Sequence, residues 1–142
     1  MQYVSTRGSA PALDFEGVTL AGLASDGGLY LPVEWPEFSQ DEIRSMRGWP
    51  YWQVAVTVMR PFIGDSLTEQ ELTAICQQVY GGAFHHAAVT PLVQLDQQHW
   101  LLELFHGPTL AFKDVALQLL GLLFEKFLTG TNRHLTIVGA TS

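Results

Sequence analysis

Positive charge is scarce in this sequence of 142 residues. It has seven basic residues against fourteen acidic ones, which gives a formal net charge of −7, and its two lysines are Lys113 and Lys126. A surface that binds nucleic acid needs clustered lysine and arginine to neutralise phosphates. No segment of the chain clusters them, so the composition argues against a nucleic-acid partner.

Cysteine and long apolar runs are also scarce. Because Cys76 is the single cysteine, an intramolecular disulfide is impossible and a reducing compartment is the default. The N-terminus lacks the charged-then-apolar pattern of a signal peptide. The longest apolar run, over 119–124, is interrupted by Gly121 and is too short to cross a bilayer. We therefore expect a cytoplasmic protein with no membrane partner.

The first ninety residues predict a mostly helical region with short strands near its start. Two S/T-x-x-E sequences are capping boxes, which begin helices, and a helix that starts at Pro50 is expected to end at Pro61 because proline breaks the backbone hydrogen-bond pattern. The predicted elements are strands at 3–5 and 29–31 and helices over 14–23, from the capping box Ser39–Glu42, over 50–60, and from the capping box Thr68–Glu71 to the glycines at 81–82.

Residues 91–142 follow a different pattern. Two strands, 92–95 and 100–104, flank a turn, and a helix over 114–128 is apolar almost all the way round, which predicts burial on every side. A buried strand is expected at 135–138, followed by small hydroxyl residues of the kind that open an anion-binding loop. So apolar a helix is hard to bury on every side within 142 residues. We therefore expect a truncated domain that is inactive alone and self-associates through exposed apolar surface.

Lys113 is the residue that most invites a chemical interpretation. A lysine becomes nucleophilic near neutral pH when it is desolvated or lies beside another cation, and Lys113 follows Thr-Leu-Ala-Phe at the start of the apolar helix. A phosphate-binding P-loop is excluded, since Phe112 stands where a glycine is required and Asp114 where a Ser or Thr is required. A structural lysine paired with Asp114 and a catalytic lysine both remain open on the residues alone.

Four segments of the sequence carry a family resemblance. The segment Glu103-Leu-Phe-His-Gly-Pro-Thr-Leu-Ala-Phe-Lys-Asp114, with its continuation to Gln118, resembles the pyridoxal-phosphate attachment segment of threonine synthases. Three more segments resemble the same family in the same order: Tyr3–Gly8, Gly22–Pro32 and Val138–Ser142. In the family the last of these continues with Gly-Asp-Thr-Gly.

The resemblance implies the N-terminal part of a fold-type-II pyridoxal-phosphate enzyme that converts O-phospho-L-homoserine and water to L-threonine and phosphate. It implies an α/β fold, with a small helical subdomain over 1–90 and the beginning of a cofactor-binding αβα sandwich over 91–142. Lys113 would form the Schiff base to the cofactor, Phe112 would pack near the cofactor ring, and Thr141 and Ser142 would bind the substrate carboxylate.

Alternatives remain for the function and for two residues. A non-catalytic threonine-synthase-like ligand-binding protein, or another fold-type-II lyase, is the alternative function, although Asp26–Tyr30 weighs against a threonine dehydratase. His106 either lines the active site or only holds the loop, and Arg7 either binds a substrate phosphate or is a surface residue. The adjacent His85 and His86 diverge and have no acid or cysteine cluster to complete a zinc set, so no metal site is expected.

Overall fold

The first strand pair brings the N-terminus against the segment that follows the first helix. In the computed structural model, which describes residues 1–139, strand β1 (Tyr3–Ser5) pairs antiparallel with strand β2 (Tyr30–Pro32). Strand β2 begins one residue later than the sequence predicts. Tyr3 and Ser5 are buried and Val4 is exposed, which is the alternation expected of a strand covered on one face.

The predicted starts of the two capping-box helices are confirmed, and the first helix lies at 15–21 within the predicted range 14–23. Helix α1 (Phe15–Ala21) begins after Asp14, whose carboxylate accepts a hydrogen bond from the Gly17 amide. Helices α2 (Gln40–Ser45) and α4 (Glu69–Tyr80) begin with complete capping boxes. In each box the Ser or Thr accepts from the backbone and the Glu accepts in return, so two otherwise unpaired N–H groups are satisfied.

Helix α3 (Tyr51–Ile63) corrects the prediction at its end. Pro61 lies inside the helix instead of ending it, and Pro50 is the N-cap residue rather than the first helical residue. Pro61 removes one backbone N–H and crowds the preceding turn, while Ile63 beyond it is buried in the core. The Arg60 Nη1 donates to the carbonyls of Gly64 and Leu67. Core packing and these two hydrogen bonds offset the proline, and a 3-10 turn (Gly64–Ser66) follows.

The core lies among α1, α3, α4 and the last helix, α5 (Asp114–Leu128), whose bounds match the prediction. Helix α4 buries the face that the sequence predicts, with Leu72, Cys76 and Val79 inside. Lys126 on α5 forms an ion pair with Glu71 of the α4 capping box. The two helices are therefore joined by apolar packing and by one surface charge pair.

The predicted hairpin is confirmed, whereas burial of the last helix on every side is not met within the described residues. Strand β3 (Leu92–Gln94) pairs antiparallel with β4 (Trp100–Leu102), and both strands are exposed along their whole length. Helix α5 buries Leu123 and Phe127 but leaves Leu117 53% exposed. It is therefore buried on one side only, because α1 and α4 cover one side of it.

The buried strand predicted at 135–138 is absent from the described part of the chain. Residues 133–139 form no regular element, and Val138 is 90% exposed. A strand needs a neighbour to pair its N–H and C=O groups, and within residues 1–139 the named strands form two separate two-stranded sheets, β1 with β2 and β3 with β4, neither of which includes residues 135–138. The mixed α/β class is confirmed, while the sheet of an αβα sandwich stays a prediction. Within residues 1–139 no helix combines the length and apolarity needed to cross a membrane.

Candidate active site

The lysine loop, residues 107–113, connects the segment after β4 to helix α5 and ends on Lys113. Lys113 occupies the N-cap position of α5 with helical backbone angles, φ −64° and ψ −21°. Its carbonyl accepts hydrogen bonds from the amides of Ala116 and Leu117, at 3.1 and 2.8 Å. The backbone of Lys113 is therefore fixed to the first turn of a fifteen-residue helix.

Asp114 holds the lysine loop from the other side. Its side chain is 4% exposed, and its two carboxylate oxygens accept from a single residue, Thr109: Oδ2 from the amide at 2.7 Å and Oδ1 from the hydroxyl at 2.8 Å. A carboxylate in the first turn of a helix is also stabilised by the helix dipole. No ion pair within residues 1–139 joins Asp114 to Lys113, so the structural alternative of a Lys113–Asp114 pair is not seen.

The backbone of the lysine loop closes on itself. The Leu110 amide donates to the Gly107 carbonyl at 3.1 Å, and the Asp114 amide donates to the Ala111 carbonyl at 3.0 Å. Leu110 has a φ of 63°, a left-handed conformation that costs a non-glycine residue about 1 kcal/mol or more. Hydrogen bonds at both ends of the loop hold this unfavourable conformation in place.

Gly107 is required by the close approach of Asp114. A Cβ added at position 107 would overlap the Cβ of Asp114 and would lie 2.8 Å from its Cγ. The glycine is buried, and the atom that an added Cβ would meet first is the Asp114 Cβ, which moves only with its backbone. Residue 107 thus sets how closely the beginning of the lysine loop approaches the carboxylate.

The side chains of Lys113 and Phe112 both face outward. Lys113 is exposed and Phe112 is 64% exposed, and within the described residues no carboxylate forms an ion pair with Lys113. The desolvated lysine expected from the apolar neighbours is therefore not produced by residues 1–139. The arrangement instead presents an accessible amine beside an accessible aromatic ring, on a fixed backbone.

His106 lies directly before the lysine loop and is held by a carboxylate. Its Nε2 lies 2.7 Å from the Glu103 Oε2, and both side chains are mostly buried. Its ring packs against that of His86, with centroids 5.2 Å apart, and its carbonyl accepts from the His85 amide. Of the two alternatives for His106, these contacts favour a role in holding the loop.

No group of three or more His, Cys, Asp or Glu side chains within residues 1–139 is arranged to hold a metal ion. His86 uses its Nδ1 to accept a hydrogen bond from the Ala88 amide at 3.1 Å. This contact lies within its own turn and engages one ring nitrogen with the backbone.

Arg7 lies near a second ordered loop. Its guanidinium Nη1 donates to the backbone carbonyl of Asp26 at 2.9 Å, and no hydrogen bond or ion pair within the described residues joins it to the lysine loop. The structure therefore does not bring Arg7 and Lys113 into direct contact. Thr141 and Ser142, the predicted carboxylate-binding residues, lie outside the described residues.

The Asp26 carboxylate organises the loop that carries Arg7, and sequence reasoning left this role unresolved. It accepts from the Ser5 hydroxyl at 2.7 Å and from the amides of Gly28, Ser9 and Ala10 at 2.9 to 3.0 Å. The Ser5 hydroxyl, followed by these three backbone donors, lowers the pKa of Asp26 from 3.8 to about 2. A Cβ at Gly28 would overlap the Ser5 Oγ, so this glycine permits the close contact.

The chain is similar to known proteins over its whole length. A family model described as "Threonine synthase N terminus" matches residues 2–80. The chain is 55% identical over 142 residues to a threonine synthase from Pseudomonas aeruginosa and 43% identical over 150 residues to one from Methylobacillus glycogenes. It covers 30% and 31% of their lengths and 100% of its own.

A solved structure is similar over most of the chain. The crystal structure of a threonine synthase from Brucella melitensis with bound pyridoxal phosphate superposes with a TM-score of 0.86 at 52% identity. The match covers 90% of this chain and 27% of that one. The chain thus spans about three tenths of the length of the relatives it matches.

Proposed function

The chain belongs to the threonine synthase family, and on that premise we propose that it forms the N-terminal part of an enzyme that converts O-phospho-L-homoserine and water to L-threonine and phosphate. The observation that carries the proposal is Lys113, which lies on a fixed loop with its amine exposed. The enzyme would be a carbon–oxygen lyase acting on a phosphate ester in threonine biosynthesis. Residues 1–142 alone are proposed to be inactive.

Two features of the lysine loop fit pyridoxal phosphate as the cofactor. The exposed Lys113 amine is available to the aldehyde, and the exposed ring of Phe112 offers an apolar face to a flat heterocycle. Lys113 and Phe112 would hold the cofactor, while we propose that its phosphate and ring nitrogen are bound by residues outside 1–139. When bound, pyridoxal phosphate supplies an electron sink for carbanion chemistry.

The chain's own residues would then act on the substrate. The Lys113 Nζ would move a proton at the substrate Cα once the substrate amine has taken its place on the cofactor. Thr141 and Ser142 would bind the substrate carboxylate with hydroxyl and amide donors. His106, fixed by Glu103, would keep the start of the lysine loop in place, and a contact from Arg7 to the substrate phosphate stays a prediction.

The same proposal divides the chain into a helical subdomain over 1–90 and the beginning of the catalytic domain over 91–142. Exposed apolar side chains in the second segment support this division. They lie on the hairpin, in the lysine loop and after α5, and they include Leu92, Leu95, Trp100, Leu102, Leu110, Phe112 and Ile137. A surface of this kind marks an interaction site. We expect the isolated chain to self-associate through it in sedimentation experiments, and a cytoplasmic location stays a prediction.

The proposed function is tested by the two lysines. At full natural length, the protein is expected to show a visible absorption band with pyridoxal phosphate and to release phosphate from O-phospho-L-homoserine. Lys113→Ala should abolish both, whereas Lys126→Ala, which removes the only other lysine up to residue 142, should leave both in place. After borohydride reduction, the cofactor should be found on the peptide that contains Lys113.

Two other results would each change the proposal. An absorption band that survives Lys113→Ala would remove the lysine assignment. A Lys113-dependent band without phosphate release would favour the alternative of a non-catalytic protein that binds the cofactor. Phosphate release with no formation of L-threonine would instead favour a different lyase of the same fold type.

A further inference from the structure

We propose that Asp114 and Thr109 are positioning residues that fix Lys113 for attack on a carbonyl ligand. The inference rests on the proposed function, which identifies that ligand as the aldehyde of pyridoxal phosphate. In the attachment step, a bond forms between the Lys113 Nζ and the aldehyde carbon, and the carbonyl oxygen leaves as water without any redox change. Asp114 and Thr109 do not touch the ligand in this proposal and act only through the backbone of the lysine loop.

The start of helix α5 differs from the starts of the three helices that have a side-chain cap. Helices α1, α2 and α4 begin with Asp14, Ser39 and Thr68, each of which accepts a backbone hydrogen bond as an N-cap. These are the residue types that stabilise a helix N-terminus, by about 1 kcal/mol relative to alanine. Helix α5 has Lys113 at that position and no side-chain cap. Helix α3, whose N-cap residue is Pro50, also lacks a side-chain cap, so the distinctive feature of α5 is the lysine at the N-cap position together with the carboxylate that follows it.

The first carboxylate of α5 is at Asp114, one position after the N-cap, and it points back to the lysine loop. Asp114 is 4% exposed, and burying a carboxylate is costly unless its oxygens are satisfied. Both oxygens are satisfied by Thr109, five residues earlier. This contact adds nothing to the hydrogen bonds within α5 itself, and its effect is to lock the chain on the N-terminal side of Lys113.

Two further features fit a loop conformation that depends on this contact as well as on the backbone hydrogen bonds of the loop. Leu110 is held at a φ of 63°, which an unconstrained leucine avoids. Gly107 provides the space for the Asp114 side chain, since an added Cβ would overlap it. Loss of the Thr109–Asp114 hydrogen bonds would let Leu110 relax toward a negative φ, and the relaxation would move the residues that lead into Lys113.

The proposal is tested by the rate at which Lys113 reacts, in the protein at full natural length after its cofactor has been removed. Pyridoxal phosphate is added, attachment is followed by visible absorption and stopped by borohydride, and the labelled peptide is identified by mass. Thr109→Val removes only the hydroxyl donor with little change of shape, and Thr109→Ser retains the donor. Asp114→Asn removes the acceptor for the Thr109 amide or for its hydroxyl.

We expect Thr109→Val and Asp114→Asn to slow attachment by about tenfold, since sub-ångström misplacement of a reacting group has effects of this order. Thr109→Ser should stay within about twofold of the unaltered protein, because it restores the hydrogen bond. Asp14→Asn, a change of the same type at the N-cap of α1, should leave the rate unchanged. The pH dependence of the rate should keep its midpoint in Thr109→Val, because that variant retains every charge.

The outcomes separate this inference from the proposed function. If the unaltered protein is not labelled at Lys113, the proposed function fails. If it is labelled, and if Thr109→Val reacts as fast as Thr109→Ser at a temperature where both are folded, the positioning role is refuted. Should Asp114→Asn not fold, the Thr109 pair still decides, and Gly107→Ala is expected to slow labelling as Thr109→Val does.

Discussion

Replacement of Leu72 by alanine tests the proposed centre of the helical core. The Leu72 side chain is 0% exposed, and it lines an apolar cavity of about 110 Å³ together with side chains from α1, α3 and α5. Buried Leu-to-Ala changes cost about 2 to 5 kcal/mol, and the cost grows with the cavity that remains. Because space beside Leu72 is already unfilled, the new void adds to it and the neighbours do not close over it. We therefore expect a loss of about 4 kcal/mol, which is nearly a thousandfold change in the folding equilibrium.

The assay is urea unfolding of residues 1–142, at a concentration where sedimentation shows a monomer, followed by tryptophan fluorescence, because Trp52 packs against the core. Leu117→Ala is the matched control: it is the same substitution on a helix, at a side chain that is 53% exposed, and it should change stability by less than about 0.5 kcal/mol. Similar losses in the two variants would refute the assignment of Leu72 to the core. If Leu72→Ala leaves the free energy of unfolding unchanged, the side chains around the cavity must be able to close over it.

Three further predictions concern the residues that order this core and its loops. Asp26 has a pKa lowered from 3.8 to about 2, so its contribution to stability is present above pH 3.8 and is lost as the pH falls toward 2. Asp26→Asn should therefore make the melting temperature fall less steeply between pH 3.8 and 2, and an unchanged slope would contradict this. Gly28→Ala should destabilise the chain by about 1 to 3 kcal/mol, because its Cβ overlaps the Ser5 Oγ, whereas Gly82→Ala has open space and should not, as thermal melts would show. Burial raises the pKa of the Cys76 thiol from 9.0 to about 11, so alkylation at pH 8 should be slow in folded protein and rapid in urea, and fast alkylation without urea would place the thiol at the surface.

Local sequence signals predicted the elements whose causes are local. The two capping boxes, at Ser39 and Thr68, act within four residues, and both were located at the correct positions. The hairpin at 92–102 and the bounds of α5 follow from patterns of the same short range. Pro61 shows the limit, because the helix continues past it only when Ile63 is buried by residues from elsewhere in the chain. Propensity alone contains no information on that burial.

The prediction of burial fails where a partner is required. An apolar pattern indicates that a face will be covered, but it does not indicate what covers it. For Leu123 the cover is α1 and α4, whereas Leu117 on the same helix is exposed in the described chain. Likewise, residues 135–138 have the composition of a strand and lack a strand to pair with within 1–139. Both failures occur in the segment 91–142, which also contains the lysine loop.

The candidate site was predicted at Lys113 but not at the residues that hold it. Sequence adjacency suggests an ion pair between Asp114 and Lys113. The true partner of Asp114, Thr109, lies five residues earlier, on the far side of a left-handed residue at 110. The sequence signal for this contact is a Thr-x-x-x-x-Asp spacing in front of a helix. The spacing predicts the contact only if the loop is already known to turn back on itself. Residues that position a reactive group are therefore harder to predict than the group itself.

The acidic character of the chain has a structural consequence that connects its two ordered loops. A chain with fourteen carboxylates and seven basic side chains cannot satisfy most of its acids with ion pairs, and Asp26 and Asp114 accept instead from hydroxyl and amide donors. Such contacts are directional, whereas an ion pair with a long lysine or arginine tolerates movement. Each aspartate thereby fixes a loop that ends near a cation, Arg7 in one case and Lys113 in the other, and leaves the Lys113 amine unpaired within the described residues. Replacing either aspartate by alanine should therefore act mainly through the loss of these hydrogen bonds and the resulting change in loop geometry. Added salt, which screens charge but leaves the hydrogen bonds in place, should not reproduce the effect.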